Sequence, residues 1–302
     1  MKFATFVKED KEPRFGLLTG EGLVDLHEAD ASIPNNALDF IRMSDEMLPR
    51  AERVAKKALG FHDLADVKLL APLPNPVSFR DFMGFSEHHE SCRRNKNQTV
   101  DPVYYQIPVF YFSNANVMIG PDSTVRAPRN CNKLDFEFEV GFVIGKKGRD
   151  ITKERALDHI FGYTIINDWS ARDLQGEEMK VMLGPAKGKD FATSMGPFLV
   201  TKDEWDSHRA GEGLRYNRKT VLTLNGKKLR DNNLKTIHHD FASMIARASE
   251  DVDLFPGELL GSGTIGGGCI LEYEPGSVPW LRKGDCVEME VEGLGSLRGF
   301  VD

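Results

Sequence analysis

No two of the four cysteines form a Cys-x-x-Cys pair. Cys92, Cys131, Cys269 and Cys286 are scattered, which excludes zinc-ribbon and thioredoxin-type motifs and leaves reduced, structural thiols as the reading. No apolar run approaches the roughly 20 residues of a membrane span. The start, Met1-Lys2-Phe3-Ala4-Thr5-Phe6-Val7, lacks the apolar stretch of a signal peptide, so a cytoplasmic protein with no membrane partner is expected. Cations are not in excess: 39 Lys and Arg against 46 Asp and Glu leave a net charge of −7. No basic stripe with interleaved aromatics marks a nucleic-acid surface. A phosphate loop ending in Lys-Ser/Thr, a GxGxxG ahead of a helix, HExxH, internal repeats and low-complexity tracts are also missing. What remains is a chain of 302 residues, 40% hydrophobic, long enough to bury roughly three quarters of its unfolded surface without a disulfide or metal.

Two parts are expected. Residues 1–70 read as a small α+β module: short strands at Thr5–Val7, Phe15–Leu18 and Gly22–Leu26, then one or two helices over Asn36–Leu59, where apolar residues recur at helical intervals. Ala71-Pro72-Leu73-Pro74-Asn75-Pro76 holds the chain extended and marks the boundary. From Pro74 to residue 302, short β-like runs alternate with Gly/Pro turns: Phe110–Phe112, Phe136–Ile144, Tyr163–Ile166, Pro197–Thr201, Val221–Leu224, Cys269–Tyr273 and Val287–Val291. Helical windows are few: Glu87–Arg94, Lys153–His159 and His239–Ala248. Asn225-Gly226 predicts a hairpin turn. The fold class is therefore mainly β with some α, in mixed sheets and not βαβ units.

The chemistry concentrates in Leu134-Asp135-Phe136-Glu137-Phe138-Glu139-Val140-Gly141-Phe142. A period of two puts the apolar residues on one face and Asp135, Glu137 and Glu139 on the other, ~7 Å between neighbours. That second face is either wet or occupied by a cation. Three carboxylates with no basic or hydroxyl residue repel one another, and an all-oxygen donor set favours a hard ion, Mg²⁺ or Mn²⁺ before Ca²⁺, over zinc. Asp168 and Asp81 each follow a β-like run, where a carboxylate is displayed or simply caps a turn. Small residues around Lys189 let a ligand approach a positive charge. Gly261-Ser262-Gly263-Thr264-Ile265-Gly266-Gly267-Gly268 offers Thr264 and bare amides to a ligand, or is a structural turn. Ser86 is placed to cap a short helix carrying His88 and His89, while His238 and His239 are read as surface residues.

Asp81…His88, Leu134-Asp135-Phe136-Glu137-Phe138-Glu139, Asn167-Asp168-Trp169-Ser170-Ala171-Arg172-Asp173, Gly188-Lys189-Asp190-Phe191 and Ser262-Gly263-Thr264 occur in that order. Together they resemble the fumarylacetoacetate hydrolase (fumarylacetoacetase) superfamily, from about Pro74 to Val301. The resemblance implies a mixed β-roll, usually a homodimer, with a divalent ion held by Glu137, Glu139 and Asp168 and additionally by Asp81. It also implies His88 as the catalytic histidine, Glu272 as the residue orienting it, and Lys189, Thr264, Gln175 and Tyr111 as substrate contacts. Met83 replaces an aromatic of fumarylacetoacetase, and Ser91 replaces the glutamate of many smaller members. Arg93 or Arg94 is the substitute for a substrate-gripping arginine.

The reaction implied is metal-assisted hydrolysis of a C–C bond in a 1,3-diketo acid such as an acylpyruvate. His88 would activate water and Lys189 would stabilise oxyanion charge. Oxaloacetate decarboxylation, or isomerisation or hydration of a 2-hydroxydienoate, is the alternative at the same site. A non-catalytic binding protein for 2-oxo acids is the rival from another class.

Overall fold

The computed structural model describes residues 1–9, 12–57 and 60–302. Among them the strands form three sheets of eleven, five and two strands, with short helices between, so the chain is mostly β. The large sheet runs in the order Gly22–Asp25, Arg14–Thr19, Lys2–Val7, Thr193–Thr201, Ile160–Asp168, Phe138–Ile144, Leu259–Gly261, Phe79–Phe82 and Phe110–Ser113. Lys2 and Phe3 pair antiparallel with Val200 and Leu199, so the first strands extend the sheet that carries the later motifs. The five-stranded sheet contains the hairpin Lys219–Leu224 to Lys227–Asn233. Its turn residues Asn225 and Gly226 have φ of 51° and 75°, the doubly positive geometry that Asn-Gly favours.

Helices occupy Ala37–Arg42 and Ser44–Lys57. The end of the expected Asn36–Leu59 window, Ala58 and Leu59, lies outside the described residues. The window around His88 is a helix over Ser86–Arg94, but Phe85, not Ser86, is its N-cap, with no side-chain cap bond.

The two faces of the large sheet are buried by different parts of the chain. Phe138, Val140, Phe142, Tyr163 and Ile165 enter one apolar core with Phe241 and Ile245 of the helix Phe241–Ser249. On the opposite face Phe79, Val143, Ile166, Met195 and Leu259 pack with Phe3, Phe15, Phe40 and Ile41 of the first seventy residues. The period of two places Asp81, Glu139, Asp168 and Thr193 on this second face, at the end where its apolar cover stops. The acidic face is therefore not wet: Glu139 and Asp168 are fully buried. The N-terminal residues cover the sheet beside them, and Tyr111, Lys189 and Gly263 close over the acids themselves.

Candidate active site

Strand register brings the carboxylates together. Asp168 ends Ile160–Asp168 opposite Thr193, Glu139 pairs with Ile166 on the next strand, and Gly261 pairs with both Gly141 and Asp81. A Cβ at Gly261 would sit 2.6 Å from Asp81 Oδ1 and 2.9 Å from Glu139 Oε2, so the missing side chain makes the space in which the acids meet. Glu137 lies in a two-residue break between Leu134–Asp135 and Phe138–Ile144. There its amide donates to Asn167 Oδ1 at 3.1 Å, and its carbonyl accepts the Asp168 amide at 3.1 Å. The expected continuous strand is broken at this point because the Asn167 side chain takes over the ladder bond.

Carboxylate oxygens of Asp81, Glu137 and Asp168 all lie within 4.8 Å of one another. Glu139 stands next to Asp81 and accepts the Gly263 amide at 3.0 Å. Asp81 Oδ1 and Glu139 Oε1 are buried without a donor among the described residues. Burial and the charge of Asp168 push the Asp81 carboxyl up to about 7. Burial and Asp81 push Glu139 well above the carboxylate range. Orphaned, crowded carboxylate oxygens of this kind fit a hard divalent cation, which would supply the missing positive charge.

Two buried cations already brace the cluster. Lys189 Nζ bridges Glu137 Oε2 and Asp168 Oδ2, the latter at 2.7 Å, and Tyr111 donates to the same Asp168 oxygen at 2.8 Å. Arg172 Nη1 lies 2.9 Å from Glu137 Oε1, and its Nε donates to Asp135 Oδ2 at 2.8 Å. Burial would raise the pKa of Glu137, but Lys189 and Arg172 outweigh it and hold the group below the usual carboxylate range. Arg172 also donates to Gln175 Oε1 at 3.0 Å. Sequence reasoning gave Arg172 no role. Its signal was an arginine following the small, apolar run Trp169-Ser170-Ala171, which needs a carboxylate partner once buried. Asp135 is structural, accepting the amides of Ile270 and Leu271 at 2.7 and 3.2 Å.

His88 Nδ1 lies 2.9 Å from Glu272 Oε1, and both side chains are buried. Burial alone would depress the imidazole, but the Glu272 charge and then the Cys269 sulfur carry its pKa well above the ordinary value. Glu272 accepts the amides of Gly267 and Gly268 at 2.7 and 3.0 Å. Three amides of the glycine-rich loop thus go to Glu139 and Glu272, while Thr264 lines the cavity described below. Around Glu272 the expected strand Cys269–Tyr273 is instead a 3₁₀ turn over Ile270–Glu272, because Asp135 captures the two amides a strand would have paired.

A cavity of about 240 Å³ collects Asp81, Glu137, Glu139, His88, Lys189 and Thr264, with Tyr111 and Gln175 also in its wall. Met83, Phe110 and Met179 give it apolar surface. Asp168 and Glu272 are held behind it. Arg93 and Arg94 do not reach it: they bond to Thr99, Gln98 and Ser91. His239 is not a surface residue either, being 6% exposed and bonded through Nε2 to the Tyr104 carbonyl at 2.6 Å.

Comparison with known proteins bears on what such a site serves. Residues 78–302 match the family model for the C-terminal domain of fumarylacetoacetate (FAA) hydrolase. The mitochondrial oxaloacetate tautomerase fahd2 of Xenopus laevis is 32% identical over 98% of this chain and 89% of its own length. The oxaloacetate tautomerase YisK of Bacillus subtilis (strain 168) is 28% identical over 98% of each. Among solved structures, a fumarylacetoacetate hydrolase from Exiguobacterium antarcticum aligns with a TM-score of 0.78 at 27% identity, covering 100% of this chain and 99% of that one. A maleylpyruvate hydrolase from Sphingobium sp. SYK-6, in complex with manganese (II) ion and pyruvate, shares the fold with a TM-score of 0.75 at 20% identity, covering 100% and 98%. No helix among the described residues is long and apolar enough to cross a membrane. With most of its length under the family model and near-complete alignment to these relatives, the chain belongs to the fumarylacetoacetate hydrolase family.

Proposed function

We propose that the protein moves a proton between carbon and oxygen of a small 2-oxo acid, with keto–enol tautomerisation of oxaloacetate as the reaction. One observation carries this reading: a single small cavity joins a cluster of buried carboxylates to a histidine held by a carboxylate of its own. At about 240 Å³ it is below the roughly 300–1,000 Å³ of drug-sized sites, which suits a short acid. The names of the full-length relatives in Xenopus and Bacillus supply the substrate. The neighbour holding manganese and pyruvate supplies a precedent for the ligand class.

Asp81, Glu137 and Asp168, with Glu139 beside them, would hold Mg²⁺ or Mn²⁺. The ion supplies Lewis-acid polarisation of the 2-oxo oxygens. The protein does the rest. Glu272 engages Nδ1 of His88 and leaves Nε2 for the substrate. The imidazolium gives its Nε2 proton to C3 and Nε2 then takes the proton of the enol hydroxyl, so that the enol becomes the ketone with no net gain or loss. Lys189, kept protonated by Asp168 and Glu137 against the effect of burial, offers positive charge to the anionic acid.

Hydrolysis of an acylpyruvate is the second reading, favoured because a buried His–Glu pair equally suits activation of water. Adding Mn²⁺ and enol oxaloacetate separates the two. Accelerated loss of the enol absorbance, abolished in His88→Asn, is the expected result. Cleavage of an acylpyruvate panel with no effect on the enol would transfer the assignment to hydrolysis. A thermal shift with oxaloacetate but no turnover would leave only a binding protein.

A further inference from the structure

Two thiols lie against His88, and proton transfer uses neither. Cys92 stands four residues after His88 on the helix Ser86–Arg94, one turn on and on the same buried face. Cys269 immediately precedes the 3₁₀ turn that carries Glu272, and it is fully buried. Both sulfurs lie 3.8 Å from His88 Nδ1, and the three donor atoms are all within 4.8 Å of one another. Glu272 Oε1 is 2.9 Å from the same nitrogen but stands outside this group of three, held by the Gly267 and Gly268 amides. Around a tetrahedral ion with metal–sulfur and metal–nitrogen bonds of ~2.3 and ~2.0 Å, neighbouring sulfur and nitrogen atoms are ~3.6 Å apart. The observed S···N spacing needs only a slight contraction to close on such an ion.

We propose that His88, Cys92 and Cys269 form a second, thiolate-type metal site for an ion of the zinc or cadmium class, with water completing the coordination, and that filling it withdraws His88 from catalysis. The donors differ in kind from the all-oxygen cluster, so Mg²⁺ and Mn²⁺ have no preference for them. Filling is a proton exchange: two S–H bonds and the Nδ1–H bond break, two metal–sulfur bonds and one metal–nitrogen bond form, and three protons leave to the buffer. A dication with two thiolates adds no net charge to the buried position, which removes the main obstacle to placing an ion there. Burial holds the Cys269 thiol well above its usual pKa, so it is that S–H proton the ion must displace. The ion would take the Nδ1 lone pair and end its hydrogen bond to Glu272. This catalytic consequence rests on the role proposed above for His88; the metal site itself does not.

The test titrates the Mg²⁺-loaded protein with Cd²⁺ under a non-thiol reductant. A sulfur-to-cadmium charge-transfer band saturating at one ion per chain is expected, at least halved in both Cys92→Ser and Cys269→Ala but retained in Glu137→Gln. Turnover of the parent should fall in step with the band, at least tenfold at one equivalent. Cys92→Ser should retain most of its own activity at the same dose. No band at one equivalent, or a full band in both cysteine variants, overturns the site, the second outcome assigning the signal to Cys131 or Cys286. A full band with undiminished turnover overturns the withdrawal of His88. If the parent turns over no substrate at all, the proposed function fails and the band still decides the site.

Discussion

The two walls of the cavity are built on different principles. The oxygen wall takes Asp81, Glu139 and Asp168 from three strands of one sheet, with Glu137 at a break in the same ladder. Its positions are fixed by register, with the apolar cover of the N-terminal residues next to it on the same sheet face. The histidine wall takes His88 from a nine-residue helix and Glu272 from a 3₁₀ turn. It is joined by side-chain bonds: Asn95 Nδ2 to the carbonyls of Leu271 and Tyr273 at 3.1 and 2.9 Å, and Glu87 to Arg230 and Asn232. On the function proposed above, holding an ion and moving a proton fall to separate frameworks, and each should be removable without the other.

The largest expected effect breaks the oxygen wall. Glu137→Ala strips Lys189 and Arg172 of a shared partner and the ion of a ligand. Mn²⁺ affinity, read by calorimetry, should fall more than about a hundredfold, since even outer partners of a metal site cost ~10–100-fold, and turnover should fall with it. His88→Asn breaks the other wall: turnover should drop by about 10²–10⁴, the usual worth of a general acid–base group, while Mn²⁺ affinity stays where it was. If either variant lost both properties, the division between the walls would be wrong. Glu272→Gln is milder. It keeps one of the two acceptor oxygens for the Gly267 and Gly268 amides but loses the charge beside His88, and kcat should fall about 10–100-fold with KM little changed.

The smallest effect concerns the support of the histidine wall. His89 packs on the Tyr104 ring at 4.6 Å between centroids, and His239 bonds to the Tyr104 carbonyl. Burial lowers the His239 pKa below its ordinary value. The unfolded chain therefore takes up the proton first, so this contribution is complete above the ordinary imidazole pKa of ~6.5 and is lost as pH falls below it. The Tm of the parent should decline more steeply on acidification than that of His239→Gln, by a few degrees at most.

The acidic alternation at 134–142 was legible because its apolar partners Phe138, Val140 and Phe142 had to face a core. The hairpin at Asn225-Gly226 was legible because few residues accept positive φ twice in succession. What escaped depended on contacts distant in sequence. Nothing local says that Phe3, Phe15 and Phe40 cover the face carrying Glu139. The 3₁₀ turn at Glu272 is set by Asp135, more than 130 residues earlier. His239 reads as polar surface until Tyr104 is packed against it. Arg93 and Arg94 matched a charge requirement, but their helix turns them to solvent-side partners. The residues proposed to hold the ion and move the proton came from motif likeness; periodicity alone would have stopped at an acidic strand and two ambiguous aspartates.

One short stretch of main chain, Gly263 to Gly268, touches both walls, giving amides to Glu139 on one side and to Glu272 on the other. It acts as a spacer gauge, setting how far the proton donor stands from the charge it must answer. Because that gauge is backbone, it is indifferent to the side chains lining the rest of the chamber. Met83 and Met179 line the chamber and take no part in those amide bonds, so exchanging them would reshape the space and leave the separation of the two walls as it is.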